Sequence, residues 1–134
     1  MNIFVDTSAF LAILNENDQY HQPAKQIWTE ILLSDAVLFS SNYVLLETTA
    51  LLQHRFGIEA LRLFENNVQP VIELIWIDEP VHKTGRSILL AANRRNLSLV
   101  DCTSFEIMRK TKLEKVFSFD PHFSEQGFIR VPTH

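Results

Sequence analysis

Short apolar runs alternate along this chain with longer segments whose apolar residues recur at a helical period. The runs are the predicted strands, at 2–5, 36–39, 71–77 and 116–119, with a last short one at 128–131. The strand at 71–77 is expected to be buried. The segments between them are too long for hairpins, so the strands are expected to run parallel with helical crossovers. The pattern predicts an α/β fold with a mainly parallel central sheet flanked by helices.

The helices expected between the strands are marked by their apolar faces and by residues typical of helix ends. Pro23 opens the second helix, Gly57 ends the third, and Asp78 stands at the start of the fifth. The predicted helices span 9–14, 23–32, 43–55, 58–66, 78–96 and 101–112.

Length and composition fit one packed domain spanning residues 1–134. The apolar fraction is 46% and there are 10 Phe, enough for a substantial core. No apolar run approaches the roughly 18 residues of a membrane span, and MNIFVDTS at the start lacks the basic segment of a secretory signal. Cys102 is the one cysteine, so no intrachain disulfide can form. These features predict a cytoplasmic protein without a membrane anchor.

Charge is divided unevenly along the chain. Residues 1–80 hold three Lys or Arg against eleven Asp or Glu, whereas residues 81–134 hold nine against five. A net charge of −4 argues against a general nucleic-acid binder, which would be basic overall. Basic residues close to an acidic site would nevertheless suit a polyanionic substrate, although each one alone is better explained as part of a solvated helix face.

Four carboxylates occupy positions where the chain changes from one element to another. Asp6 follows the first strand, Asp101 opens a helix, and Asp120 follows a late strand. Glu47 is carried by the helix that begins just after the second strand. Each aspartate alone is explained as a helix cap, and Glu47 as the edge of an apolar stripe. The carboxyl ends of parallel strands meet at one crevice, however, so the carboxylates are candidates for a common site.

Clustered carboxylates repel one another, so either their pKa values rise or a cation lies among them. Two carboxylates about 5 Å apart repel by roughly 3 kcal/mol at an effective dielectric of about 20. Oxygen ligands select a hard ion such as Mg²⁺ or Mn²⁺, and no Cys/His cluster has the spacing of a zinc site. An ion of this kind is suited to phosphodiester hydrolysis, because it activates water and neutralises charge on the phosphate.

Four pieces of the sequence resemble the PIN domain family, and within it the VapC-type ribonuclease toxins of type II toxin-antitoxin systems. They are FVDTSA at 4–9, Glu47, SLVDCTSF at 98–105 and FSFDPHF at 117–123. The resemblance covers essentially the whole chain, and the last two pieces at this spacing are the most specific. It implies a three-layer α/β/α fold and a Mg²⁺- or Mn²⁺-dependent endoribonuclease.

The resemblance also implies roles for individual residues. The acidic metal site is expected to consist of Asp6, Glu47, Asp101 and Asp120, with Ser8 and Ser104 as supporting polar residues. Relatives often have an acidic residue followed by Lys where this chain has Arg94 and Arg95, which are expected to bind the RNA substrate.

The partners implied by the resemblance are a cognate VapB-like antitoxin and a second copy of the chain. The antitoxin is expected to place an Arg or Lys near Asp6 and Asp101, where it replaces the cation. A homodimer is expected because the helices carry much apolar surface, represented by Trp28, Ile31, Leu32, Phe56 and Phe64.

Four alternatives remain open from the residues. A phospho-acceptor signalling domain also uses Mg²⁺ and carboxylates at strand ends, but it would need an acidic pair after the first strand, where Asp6 stands alone. A metal-independent nuclease would use His122 as acid and base, whereas that histidine is more simply an exposed turn residue. A PIN nuclease of RNA processing without an antitoxin and a binding protein with a vestigial site complete the set.

Overall fold

The computed structural model describes residues 1–133 and arranges them around a five-stranded parallel sheet. The strand order is β3-β2-β1-β4-β5, and all four neighbouring pairs are parallel. The strands are β1 (Asn2–Val5), β2 (Val37–Ser41), β3 (Ile72–Ile75), β4 (Lys115–Phe117) and β5 (Ile129–Val131). The α/β fold with a parallel sheet is therefore confirmed.

Helices connect every pair of consecutive strands and flank the sheet. They are α1 (Thr7–Leu14), α2 (His21–Leu32), α3 (Asn42–Phe56), α4 (Ile58–Leu63), α5 (Glu79–Ala92), α6 (Leu99–Lys110) and α7 (His122–Glu125). A π-helical turn (Phe64–Val68) and a 3₁₀ turn (Gln69–Val71) lead from α4 to β3. None of the helices in residues 1–133 has the length and apolar composition needed to cross a bilayer.

The core is built around β1, the middle strand of the sheet. Ile3, Phe4 and Val5 are at most 1% exposed, because neighbouring strands cover both edges and helices cover both faces. Consecutive apolar residues are therefore required here, and the strict alternation of a half-exposed strand is absent. Phe10 of α1 packs edge-to-face against Phe64, with 5.2 Å between ring centroids.

The strand order fixes where a ligand can enter. The chain moves outward in one direction from β1 to β3, then crosses back and continues outward on the other side through β4 and β5. The order thus reverses between β1 and β4, and in open α/β sheets the crevice beyond the carboxyl ends of such a pair is the usual binding site. Asp6 follows β1 directly, and Asp120 lies in the loop after β4.

Helices α5 and α6 pack closely through a glycine. A Cβ built on Gly85 of α5 would lie 2.6 Å from Cγ2 of Thr103 on α6 and 3.1 Å from the Thr103 backbone nitrogen. Only a residue without a side chain allows this approach. The contact holds the helix that carries Asp101 against the helix that precedes it.

The strand predicted at 71–77 is shorter and more exposed than expected. The ladder covers Ile72–Ile75, and Val71 and Trp76 are exposed. β3 lies at the edge of the sheet with β2 as its neighbour, so its apolar run is not enclosed as a central strand would be. The prediction of a buried strand was wrong because an apolar run alone does not show which strands are central.

Every predicted helix differs from the observed one at one boundary or both, as three examples show. α2 begins at His21, two residues before Pro23. α4 ends at Leu63, where the hydrogen bonding changes to a π-helical turn. α5 ends at Ala92 because Asn93 adopts a left-handed conformation (φ 52°), a common helix stop.

Part of the apolar surface expected at a dimer interface lies in the core. Phe64 is fully buried and Ile31 is buried, so neither is available to a partner. Leu32 and Phe56 remain exposed. Phe64 and Ile31 were assigned to the interface because they are apolar helical residues. An apolar stripe alone does not show whether a helix faces the core or a partner.

Candidate metal centre

Asp6 is the most deeply buried carboxylate of the crevice, with 4% of its surface exposed. The hydroxyl groups of Ser8 and Ser118 both donate hydrogen bonds to its Oδ2 atom, at 2.8 and 2.9 Å. The pKa of Asp6 is raised to about 7, chiefly by burial and then by the charge of Asp101, against the opposing effect of the two serine hydrogen bonds. A buried carboxylate of this kind either holds a proton or faces a cation.

The same two serines connect Asp6 to the loop that carries Asp120. Ser8 Oγ accepts the backbone N–H of Phe119 at 3.0 Å, and Ser118 Oγ accepts that of Asp120 at 3.0 Å. The loops after β1 and β4 are thereby fixed to each other. Ser118 was missed in the sequence, although its position two residues before an expected ligand, directly after a buried strand, is a usable signal.

Asp101 is both a helix-capping residue and a member of the acidic group. Ser98 is the N-cap of α6: its hydroxyl accepts the Asp101 backbone N–H, and Asp101 Oδ2 accepts the Ser98 N–H, each at 3.0 Å. Asp101 therefore occupies the third position of the helix, not the cap position expected from the sequence. Burial raises the pKa of Asp101 and the charge of Asp120 contributes, while the Ser98 hydrogen bonds and His122 act in the opposite direction.

Asp120 and His122 form the third corner of the crevice. Asp120 Oδ1 accepts the backbone N–H of His122 at 2.9 Å, which starts the short helix α7. The His122 Nδ1 atom lies 3.0 Å from the same oxygen and 3.9 Å from Asp101 Oδ2. Donor atoms of Asp101, Asp120 and His122 all lie within 4.8 Å of one another.

The expectation that His122 is an exposed turn residue was wrong. Only 7% of its surface is exposed, because α7 turns the ring inward towards the acidic crevice. Its Nδ1 atom is buried and has no hydrogen-bond partner in residues 1–133, in spite of the short separation from Asp120. The distance is short enough for an ion pair, but the alignment of the two atoms is not that of a hydrogen bond.

Glu47 reaches the crevice from α3 and is half-buried. Burial raises its pKa, a hydrogen bond with Thr7 lowers it, and the charges of Asp101 and Asp120 raise it again. Glu47 therefore shares the electrostatic field of the two aspartates. Thr7 is a contact that the sequence did not indicate beyond its place beside Asp6.

The remaining candidates lie at different distances from the acids. The Ser104 hydroxyl donates to the backbone carbonyl of Val100 within α6, so the contact it makes is internal to the helix. Arg94 forms a 2.7 Å ion pair with Glu125 of α7, and both side chains are partly exposed. Arg95 is exposed.

Comparison with known proteins places the chain among nucleases of one fold. The PIN domain model matches residues 3–129. The 23S rRNA-specific endonuclease VapC20 of Mycobacterium tuberculosis is 34% identical over 130 residues, which cover 96% of this chain and 97% of that protein.

Solved structures give the same placement. The crystal structure of M. tuberculosis VapC20, described as a sarcin-ricin loop cleaving toxin, superposes with a TM-score of 0.83 at 33% identity and covers 95% of this chain and 96% of the other. FitAcB from Neisseria gonorrhoeae has a TM-score of 0.70 at 15% identity, with coverage of 97% and 96%, and supports the fold alone.

Proposed function

This chain belongs to the PIN domain family, and from that premise we propose that it is a metal-dependent endoribonuclease acting on RNA phosphodiester bonds. The observation that carries the proposal is the meeting of Asp6, Glu47, Asp101 and Asp120 in one electrostatic field. In residues 1–133 no lysine or arginine forms an ion pair with any of these four carboxylates. Their repulsion is then offset either by protonation or by a bound cation, and we propose that a divalent cation takes this place in the active protein.

The donor set fits a divalent ion. Asp6, Asp101 and Asp120, with Glu47 nearby, offer carboxylate oxygens, and we propose Mg²⁺ or Mn²⁺ as the ion they hold. A bound ion of this kind would activate water and stabilise negative charge on the scissile phosphate.

Other residues of the chain would orient the carboxylates that hold the ion and accept a proton from the attacking water. Ser8 and Ser118 fix the carboxylate of Asp6 by holding one of its oxygens, and Ser98 fixes that of Asp101. Glu47, half-exposed and with a raised pKa, is suited to accept a proton from the attacking water at its carboxylate. Ser104 would act indirectly, because its hydroxyl donates to the Val100 carbonyl one residue before Asp101 and so contacts the turn that carries that carboxylate.

RNA would approach over the basic second half of the chain. Arg94 is proposed to contact the substrate backbone, together with the neighbouring Arg95. The ion pair between Arg94 and Glu125 supports this role, because it holds Arg94 beside α7, the helix that follows Asp120. The proposed site of action is the cytoplasm, where RNA substrates are found.

We further propose that the protein is the toxin of a toxin-antitoxin pair with a VapB-like antitoxin. The relationship to VapC20 over nearly the full length of both chains supports this role, and it makes the sarcin-ricin loop of 23S rRNA the first substrate to test. The antitoxin would place an Arg or Lys against Asp6 and Asp101.

We also propose that the protein is a homodimer, with an interface that differs from the one expected from the sequence. Leu46, Trp76 and Leu90 are each at least 70% exposed, which is unusual for large apolar residues and typical of an interface. Light scattering at micromolar concentration should give the mass of two chains, and a monomer mass would contradict the dimer.

The function is tested with purified protein and fluorescent RNA containing the sarcin-ricin loop. We expect cleavage with Mg²⁺ or Mn²⁺ and none after EDTA treatment, with a scrambled RNA of equal length as the control. Cleavage that persists in EDTA would favour a histidine acid-base mechanism. Labelling of the protein by acetyl phosphate without RNA cleavage would favour the phospho-acceptor alternative.

A further inference from the structure

The side chain of His122 faces the acidic crevice with an unsatisfied nitrogen. We propose that His122 Nδ1 is a ligand of the same ion as Asp101 and Asp120, which makes this a mixed nitrogen and oxygen site. The proposal rests on the metal site proposed above. It adds a ligand that the four carboxylates do not supply.

The burial of His122 supports its role as a ligand. The His122 side chain is 9% exposed, and its Nδ1 atom has no hydrogen-bond partner in the described residues. A buried polar atom without a partner is destabilising, so such atoms usually mark the place of a ligand, water or ion. Here the atom is directed at two carboxylates and not at apolar side chains.

The distances from His122 Nδ1 to the two carboxylates also support this role. An octahedral ion with ligand bonds of about 2.1 Å holds neighbouring ligand atoms about 3.0 Å apart and opposite ones about 4.2 Å apart. The separation of His122 Nδ1 from Asp120 Oδ1 is 3.0 Å, and that from Asp101 Oδ2 is 3.9 Å. Both values fall within the range that one shared ion would impose.

The third argument is the way in which the ring is held. Asp120 Oδ1 accepts the backbone N–H of His122, so the carboxylate and the imidazole are fixed to each other through one turn of chain. Asp101 is fixed independently through Ser98. A ligand group positioned before the ion arrives loses little conformational entropy on binding.

An imidazole ligand changes which ions bind best. Mg²⁺ prefers oxygen ligands, whereas imidazole suits later first-row ions. Mn²⁺ and Co²⁺ should therefore gain more than Mg²⁺ from His122. The expected consequence is a selectivity for Mn²⁺ over Mg²⁺ that depends on this histidine.

The test uses the full chain without a histidine tag and Mn²⁺ as the probe. Pulsed electron paramagnetic resonance of the Mn²⁺ complex should show coupling to an imidazole nitrogen, and ¹⁵N-histidine labelling should change it. His122→Gln should abolish the coupling and weaken Mn²⁺ binding by about tenfold or more in calorimetry, with a smaller change for Mg²⁺. His54→Gln, which alters an exposed histidine on α3, should behave as wild type.

The outcomes separate this proposal from the proposed function. Mn²⁺ that binds the wild type in an Asp101-dependent way but shows no nitrogen coupling would overturn the ligand role of His122 and leave the acidic site intact. A protein that binds neither Mn²⁺ nor Mg²⁺ would overturn the proposed metal-dependent function as well. Because the labelled wild type gives the decisive signal, the result does not depend on the folding of His122→Gln.

Discussion

Helices α5 and α6 pack together, and at the start of each helix an aspartate side chain accepts a backbone N–H. Asp78 is the N-cap of α5 and accepts the backbone N–H of Val81 at 3.1 Å. Asp101 stands in the first turn of α6 and accepts the backbone N–H of Ser98 at 3.0 Å. Asp78 is exposed to solvent, whereas the Asp101 side chain is 13% exposed and close to other carboxylates.

The difference arises from the sheet and not from the helices. α5 follows β3 at the edge of the sheet, so its N-terminus opens onto solvent. α6 presents its N-terminus to the crevice between β1 and β4, where Asp6 and Asp120 already lie. A capping signal is therefore compatible with either role, and the position of the helix relative to the strand reversal decides between them.

The largest expected effect is on catalysis and separates the two aspartates. Asp101→Asn keeps the capping hydrogen bonds but removes a ligand charge, so RNA cleavage should fall by about two orders of magnitude or more. The melting temperature without metal should be unchanged or higher, because repulsion is reduced. Cleavage of a fluorescent RNA and thermal melts with and without Mn²⁺ measure both effects.

Asp78→Asn is the matched control, with the same chemical change at the exposed cap. It should cleave RNA at the wild-type rate with an unchanged Mn²⁺-induced shift. If Asp101→Asn behaves in the same way, then Asp101 is a cap only, and the nuclease assignment loses its main support.

The next effect concerns stability and pH. In the metal-free fold the pKa of Asp6 is about 7, above the value of 3.8 for a free side chain, so the folded state retains a proton that the unfolded state releases. The free energy of unfolding should therefore fall by a few kcal/mol as pH rises from about 4 to about 7. Melts in EDTA at pH 5 and pH 8 should show the lower midpoint at pH 8.

The stabilisation by Mn²⁺ should have the opposite dependence, because the ion competes with protons and binds better at pH 8. Asp6→Asn should reduce the pH dependence while keeping an acceptor for Ser8 and Ser118. Asp35→Asn, at an exposed carboxylate, should leave it intact. A metal-free protein whose stability does not fall between pH 5 and 8 would contradict the buried, proton-holding Asp6.

The smallest expected effect is on stability, and it concerns the close packing of α5 against α6 at Gly85. Gly85→Ala places a Cβ about 2.6 Å from Thr103 Cγ2, so α5 and α6 must separate slightly. We expect a loss of about 1–3 kcal/mol in the free energy of unfolding, measured by urea denaturation. Thr103→Ala in the same chain removes Cγ2 and should recover part of it. A fully stable Gly85→Ala would show that the approach of the helices is not constrained by this contact.

Features that depend on the local sequence pattern, such as strand ends and the direction of the strands, were mostly predicted correctly. The apolar run of β1 and the polar residues after it placed Asp6 at a strand end, and the long crossovers predicted a parallel sheet. The PIN domain resemblance is confirmed by the match over residues 3–129. The roles of the four carboxylates stay predictions, supported by the common field in which they lie.

What the sequence missed depends on tertiary position. His122 looked like an exposed turn residue because a one-turn helix has no pattern that shows which way its side chains face. Ser118 looked like an ordinary strand residue, yet it binds the carboxylate of Asp6 from a distance of 112 residues along the chain. β3 was expected to be buried because its run is apolar, whereas it lies at the edge of the sheet. In each case the neighbours that decide the role come from elsewhere in the chain.

The hydrogen bond from Ser118 to Asp6 also has a consequence for the order in which the protein is made. During synthesis from the amino terminus, Asp6 emerges early, and Ser118 is added 112 residues later. Until β4 pairs with β1, the crevice has only one of its walls, and such non-local pairing is slow compared with helix formation. A growing chain therefore lacks the assembled acidic crevice until synthesis has passed β4.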